Sequence, residues 1–248
     1  MSRPVAVVTG GTRGIGAATA ELLADRGHDL VLGYRSRDAE AAELAEQLGE
    51  RGVEVRTVRC DVADEADVER LFAVADALGP LAALVNNAGV LEQQRSMVEI
   101  DMARWRRVFS VNVFGAAACC RAAVRRMSTQ TGGKGGAIVN LSSRAAQLGS
   151  PQEYVDYAAS KAAVDTMTRG LALEVARHGV RVNAVRPGII DTEIHAGGGD
   201  PGRVPRLGPA QPMGRPGTAV EVAESVVWLL SPAASYITGT MLDVSGGR

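Results

Sequence analysis

Val5-Ala6-Val7-Val8-Thr9-Gly10-Gly11-Thr12-Arg13-Gly14-Ile15-Gly16 is the stretch that decides the fold. Its first four residues are an unbroken apolar run rich in β-branched side chains, the pattern of a parallel strand buried on both faces. A glycine-rich turn follows, and then a helical pattern from Ala17 to Arg26. Strand, glycine turn and helix in that order present backbone N–H groups and a positive dipole end to a phosphate. The glycines Gly10, Gly14 and Gly16 are spaced GxxxGxG, not GxGxxG as in the commoner dinucleotide fingerprint.

Working outward, strands are predicted at Asp29–Tyr34, Val53–Val58, Leu81–Val85, Ala137–Leu141, Val180–Val185 and Thr240–Val244. Helical patterns separate them at Ala39–Arg51, from Asp64 (a candidate cap) to Leu78, Asp101–Met127, Tyr154–Arg177 and Thr218–Leu230. This rhythm argues α/β: a Rossmann-type, doubly wound, mostly parallel seven-stranded sheet with helices on both faces. No repeat or linker divides residues 1–248, so one catalytic, dinucleotide-binding domain is expected. His195 to Gly217 is rich in glycine and proline and lacks periodicity, which predicts a substrate lid over about 190–217.

The second strand ends at Tyr34, followed by Arg35, Ser36 and Arg37. A site selective for NAD would place a carboxylate near that end to meet the ribose 2′-hydroxyl. Here Arg35, with Arg13 in the glycine turn, offers paired donors suited to a 2′-phosphate. The expected cofactor is therefore NADP(H) in preference to NAD(H), with Asp38 as the nearby acidic residue. Asn86-Asn87-Ala88-Gly89 forms a polar turn at the end of the fourth strand, where open α/β sheets bind ligands. Asn112 lies inside a long helical run, and an asparagine there either caps something or holds water. Arg104, Arg106, Arg107, Arg121, Arg125 and Arg126 give that run a basic face, read mainly as solvated charge or an oligomer contact.

Ser142 and Ser143 stand at the end of the fifth strand. Tyr157-Ala158-Ala159-Ser160-Lys161 then places a phenol and an ammonium at i and i+4 on one helix face. An unperturbed tyrosine titrates near ~10. The neighbouring ammonium is expected to favour the phenolate and lower that value, towards the range useful to a general acid/base.

Composition narrows the class. With 46% hydrophobic and 22% charged residues, the chain can bury a substantial core. Its net charge of −1 gives no field that would recruit nucleic acid or an anionic membrane. Apolar runs are broken short of a bilayer span, and Met1-Ser2-Arg3-Pro4 leads straight into a strand without a leader pattern. Cys60, Cys119 and Cys120 make neither a disulfide framework nor a zinc pattern, which suits a cytoplasmic location. The scattered histidines His28, His178 and His195 argue against a metal site.

With these segments in place, the sequence resembles the short-chain dehydrogenase/reductase superfamily along essentially its whole length. The matching motifs are Thr9–Gly16, Asn86–Gly89, Asn112, Ser142-Ser143, Tyr157 to Lys161 and Pro187-Gly188. The resemblance implies a nicotinamide cofactor held by Gly10, Thr12, Arg13, Gly14, Ile15 and Gly16. Tyr34, Arg35 and Ser36 would meet its phosphate end, and Asp61 with Val62 its adenine. Asn87, Ala88 and Gly89 would line it, as would Pro187, Gly188, Ile189 and Thr192, the last two beside the nicotinamide and its carboxamide. Tyr157 and Lys161 would act both as catalytic and as cofactor-binding residues.

The implied catalytic set is Asn112, Ser143, Tyr157 and Lys161. Tyr157 would give a proton to a carbonyl oxygen that Ser143 stabilises, and Asn112 would keep a water in line with Lys161. Many relatives have one residue fewer between the serine and the tyrosine. If the extra residue lies between Gln147 and Tyr154, Ser143 is the active serine; if the register shifts, it is Ser142.

The activity implied is an NADPH-dependent carbonyl reductase, reversible as an alcohol dehydrogenase. Three other readings remain: a 3-oxoacyl carrier-protein reductase, with Arg125, Arg126 and Arg177 towards the carrier; a sugar 1-dehydrogenase; and a silent NADP-binding regulatory protein. The partner is a small carbonyl or alcohol substrate of medium size and partly polar character. A homotetramer, or a homodimer, through the two long helices completes the expectation.

Overall fold

The structure is a computed structural model that describes residues 3–248. Met1 and Ser2, part of the reading of the amino terminus, lie outside the described residues, as does the side chain of His195. The strands are β1 (Val5–Thr9), β2 (Asp29–Tyr34), β3 (Val55–Arg59), β4 (Leu81–Asn86), β5 (Gly136–Leu141), β6 (Val180–Pro187) and β7 (Met241–Val244). Among the described residues they form one sheet in the order β3-β2-β1-β4-β5-β6-β7, parallel throughout.

The helices are α1 (Gly14–Asp25), α2 (Asp38–Gly49), α3 (Glu65–Leu78), α4 (Met102–Phe109), α5 (Ala116–Met127), α6 (Ala145–Leu148), α7 (Val155–Val175), α8 (Ile194–Gly197), α9 (Arg203–Leu207) and α10 (Ala219–Leu230). Side chains alternate across a strand, and β1 shows what that does to the core. Val5 and Val7 pack into the layer holding Phe72 of α3, Cys119 of α5 and Ala172 of α7. Ala6 and Val8 pack into the other, with Leu23 of α1, Leu48 of α2 and Val226 of α10. All four are fully buried, which is why the run reads as continuous hydrophobicity. A fully buried valine or leucine of this kind contributes roughly 1.5–3 kcal/mol.

Local signals set several boundaries. Asp64 accepts the Ala66 N–H at 2.8 Å and starts α3. Thr218 and Glu221 cap α10 reciprocally: Glu221 N–H donates to Thr218 Oγ1 at 3.2 Å, and Thr218 N–H donates to Glu221 at 2.8 Å.

Four sequence expectations need correction. The long run after Asp101 is not one α-helix, because Ser110–Gly115 forms a π-turn between α4 and α5. Met102–Met127 also reaches the length and mean hydropathy, 1.3, of a membrane span; its apolar side is committed to the core through Cys119, Cys120, Ala123 and Met127. The basic face is largely neutralised: Arg107 pairs with Glu92, Arg121 with Glu65 and Arg126 with Asp76, and Arg104 is buried against Asp156. Finally, the segment before Gly217 is not structureless, since it carries α8, α9 and a 3₁₀ turn at Gly208–Ala210.

Candidate active site

The sheet order reverses between β1 and β4, so the loops leaving these strands diverge and open a crevice at their carboxyl ends. The glycine turn forms one wall. Gly10 is left-handed, with φ +60°, and a Cβ on Gly16 would lie 2.1 Å from the Gly10 carbonyl oxygen. The turn is clamped by its neighbour: Asn87 Nδ2 donates to the Thr9 and Gly10 carbonyls at 3.1 and 2.8 Å. Thr9 Oγ1 accepts the N–H groups of Asn87 and Ala88, both at 3.1 Å. Thr9, which opens the glycine motif, is the brace through its hydroxyl. Helix α1 begins behind Arg13 with no side-chain cap and no acidic residue in its first turn. Its amino end is thus left for an anion.

Two clefts meet at Gly89. The outer one, about 700 Å³, is lined by Gly10, Thr12, Arg13, Tyr34, Arg35, Ser36, Asp61, Val62, Ala88 and Gly89. At its rim, Tyr34 Oη donates to Asp38 at 2.8 Å. That bond raises the Tyr34 pKa and engages the carboxylate that a ribose hydroxyl would otherwise seek. Glu193 reaches back to the same region, with its carboxylate 3.0 Å from Arg37 and 3.6 Å from Arg13.

The inner cleft, about 920 Å³, gathers Ile15, Asn87, Gly89, Ser143, Tyr157, Lys161, Pro187, Gly188, Ile189 and Thr192. Gly14 lies beside Thr192 and Glu193 in the groove joining the two. Gly16 and Asn112 line none of these spaces. Gly16 serves the close approach just described.

Asn112 is 1% exposed. Its Oδ1 accepts the Val90 N–H at 2.8 Å, and its Nδ2 donates to the Val90 carbonyl and to Ser160 Oγ, each at 3.1 Å. It therefore ties the β4 loop to α7. A Cβ on Gly89 would sit 3.4 Å from Asn112 Oδ1 and 3.5 Å from Lys161 Nζ, so these two groups converge on one bare stretch of backbone.

The two serines separate by what they bind. Ser142 Oγ donates to the Lys161 carbonyl at 3.2 Å, whereas Ser143 Oγ accepts the Ala145 N–H at 3.1 Å and is the serine close enough to act on the Tyr157 phenol. The loop before Tyr154 is left-handed at Gly149, Ser150 (φ 44°) and Gln152 (φ 62°). Such backbone is uncommon at non-glycine residues.

Electrostatics run against one expectation. Burial pushes the Tyr157 phenol up to about 12, and the nearby Ser143 hydroxyl only partly opposes it. Burial brings the Lys161 ammonium down to about 8, opposed by Asp165. Lys161 Nζ lies 5.6 Å from the centre of the Tyr157 ring. Among the protein's own groups, loss of water favours the neutral forms of both side chains more than their proximity favours the charged pair.

Sheet, crevice and the Tyr157–Lys161 helix define an oxidoreductase of the dinucleotide-binding class. Residues 10–248 match the family model described as Enoyl-(Acyl carrier protein) reductase. An uncharacterized oxidoreductase of Escherichia coli, YgfF, is 52% identical over 98% of this chain and 99% of its own. The cis-4-hydroxycyclohexanecarboxylate dehydrogenase of Sinomonas cyclohexanicum is 43% identical over 98% and 95%. A blue fluorescent protein from a metagenomic library, solved in complex with NADPH, superposes with a TM-score of 0.90, at 35% identity over 98% and 97%. The chain belongs to the short-chain dehydrogenase/reductase family, whose members use a nicotinamide cofactor.

Proposed function

We propose that the protein is an NADPH-dependent carbonyl reductase, reversible as an alcohol dehydrogenase, with Tyr157 as general acid/base. The observation that carries this reading is the meeting of Ser143, Tyr157 and Lys161 with Ile15 and Thr192 in one cleft. When bound, the nicotinamide supplies or accepts the hydride. Tyr157 passes its phenolic proton to the oxygen of the carbonyl being reduced, and Ser143 donates a hydrogen bond to that oxygen as charge gathers there. Lys161 stabilises the phenolate left behind. Asn112 is a positioning residue, fixing α7 through Ser160 and the Val90 loop, and a proton route to solvent would run past it.

Arg13 and Arg35, with Tyr34 turned onto Asp38, support a preference for a 2′-phosphate; the NADPH complex of the blue fluorescent relative is in keeping with it. Segment 190–217 acts as the lid in this reading. A hydroxy-acid dehydrogenase and a galactitol 2-dehydrogenase among its relatives support small alcohols as substrates. Phe114 and Leu173, 63% and 76% exposed, are the apolar surface on the long helices through which a homotetramer or homodimer would assemble, in the cytoplasm.

The test is NADPH oxidation across a panel of ketones, aldehydes, thioesters and sugars. Tyr157→Phe should lower kcat/KM by about 10³-fold or more; turnover that survives the change refutes the assignment. Calorimetry with adenosine 2′,5′-bisphosphate against AMP tests the cofactor, and equal affinity would argue for NAD(H).

A further inference from the structure

The inner cleft has an uneven charge. Four cationic side chains line it, Arg144, Lys161, Arg203 and Arg248, and among the described residues no aspartate or glutamate does. The carboxylates that balance two of them stand outside the lining. Arg144 Nη1 donates to Asp243 at 2.8 Å. Arg203 makes two hydrogen bonds to Glu153, at 2.8 and 2.7 Å, and lies 5.2 Å over the Tyr154 ring.

Two features of this wall point to a ligand. Arg144 Nε is buried without a hydrogen-bond partner, and so is the hydroxyl of Tyr154, a residue only 3% exposed; Gln94 is that hydroxyl's near neighbour but completes no good bond. Arg248 differs from the other two arginines of the cleft. Its backbone is held by Ser245: the Arg248 N–H donates to the Ser245 carbonyl at 3.3 Å, and Ser245 Oγ donates to the Arg248 main-chain oxygen at 3.1 Å. Among the described residues no carboxylate forms an ion pair with its guanidinium, although its charge helps Arg203 hold Glu153 below the usual carboxylate range. The same cleft also has apolar lining: Leu91, Leu148, Ile189 and Ile194.

We infer that the substrate is a small oxo acid, its carboxylate paired with Arg248 and a hydrocarbon spacer lying on the apolar lining. This deepens the carbonyl-reductase reading and rests on it. A guanidinium with no acidic side chain paired to it, in a walled and partly desolvated cleft, gains most from an ionised partner that it can engage through two N–H donors. A neutral ester offers the same skeleton without that gain. Arg144, next in sequence to Ser143, is a second cationic donor in the same cleft.

The experiment compares levulinate, the oxo acid one carbon longer and the cyclohexanone with a para carboxylate, each against its own methyl ester, as the ratio of kcat/KM values. The wild-type ratio should favour the acids by about tenfold or more, and it should fall as salt is raised. In Arg248→Ala the ratio should collapse towards one, and Arg248→Lys should recover part of it. Esters reduced as well as the acids by the wild type, or an acid preference retained in Arg248→Ala, overturns the inference while leaving the reductase reading intact. If no ketone is turned over, charged or neutral, the reductase reading fails and takes this one with it.

Discussion

Lys161 Nζ donates to the Leu141 carbonyl oxygen at 2.6 Å, anchoring the lysine of α7 to the last residue of β5. Ser142 and Ser143 follow directly, so a single bond fixes the spacing between the lysine and the serine pair. The group is costly to hold. Its folded pKa, about 8, lies below the unfolded value near ~10.4. Protonation therefore penalises the native state; the penalty is full below pH 8 and fades as pH rises from 8 to ~10.4. Lys161→Met should lower kcat/KM by about 10³-fold yet leave stability at pH 7 equal to wild type or up to ~3 kcal/mol higher. Denaturant midpoints at pH 7 and pH 10 check this, and the difference between the two proteins should shrink at the higher pH.

The serine pair should divide by function. Ser143→Ala is expected to lower kcat by about 10²- to 10³-fold, as loss of a donor to developing oxyanion charge does. Ser142→Ala removes the bond to the Lys161 carbonyl and should cost ~1 kcal/mol of stability, with a much smaller effect on kcat. The reverse pattern would move the active role to Ser142.

Tyr157 sits near 12 in the field of the protein alone, so the neutral phenol, the acid needed for reduction, is present throughout the physiological range. Oxidation needs the phenolate. Alcohol oxidation should therefore rise from pH 7 to pH 10 while carbonyl reduction stays level over the lower part of that span. Initial rates in both directions across a buffer series measure it, and a pH-independent oxidation rate would count against Tyr157 as the base.

Arg104 and Asp156 form a two-bond ion pair at 2.7 and 3.0 Å with side chains 5% and 0% exposed. It binds α4 to the turn of α7 that carries Tyr157. Arg104→Met alone should destabilise the protein by ~3–5 kcal/mol, because it leaves a buried carboxylate without its partner. Arg104→Met with Asp156→Leu should recover most of that loss, as chemical denaturation of the three proteins would show.

Much of this molecule is legible in its sequence because the signals are local. The β-branched runs mark the buried strands, Asp29–Tyr34 as observed, and Asp64 announces α3. The site motifs are legible for the same reason, each lying at a strand end or on a single helix turn. What escapes is set by residues far apart in sequence. Arg104 reads as part of an exposed basic face until Asp156, 52 positions away, is folded against it; Arg126 likewise waits for Asp76. The Tyr157 shift takes its sign from burial, which spacing does not encode. Helices α8 and α9, of 4 and 5 residues, are too short for a hydrophobic period to repeat.

The π-turn at Ser110–Gly115 lets one rod answer to two different surfaces. Successive residues of an α-helix are ~100° apart around the axis, and a π-turn takes up one more residue than an α-turn. Upstream, Val108 is fully buried, and within the turn Asn112 reaches Ser160 of α7; downstream, Cys119, Ala123 and Met127 pack into the core. Excising a single residue from the turn would restore a regular helix at the cost of swivelling one half by about a quarter-circle, so the asparagine and the core stripe could no longer both be in place.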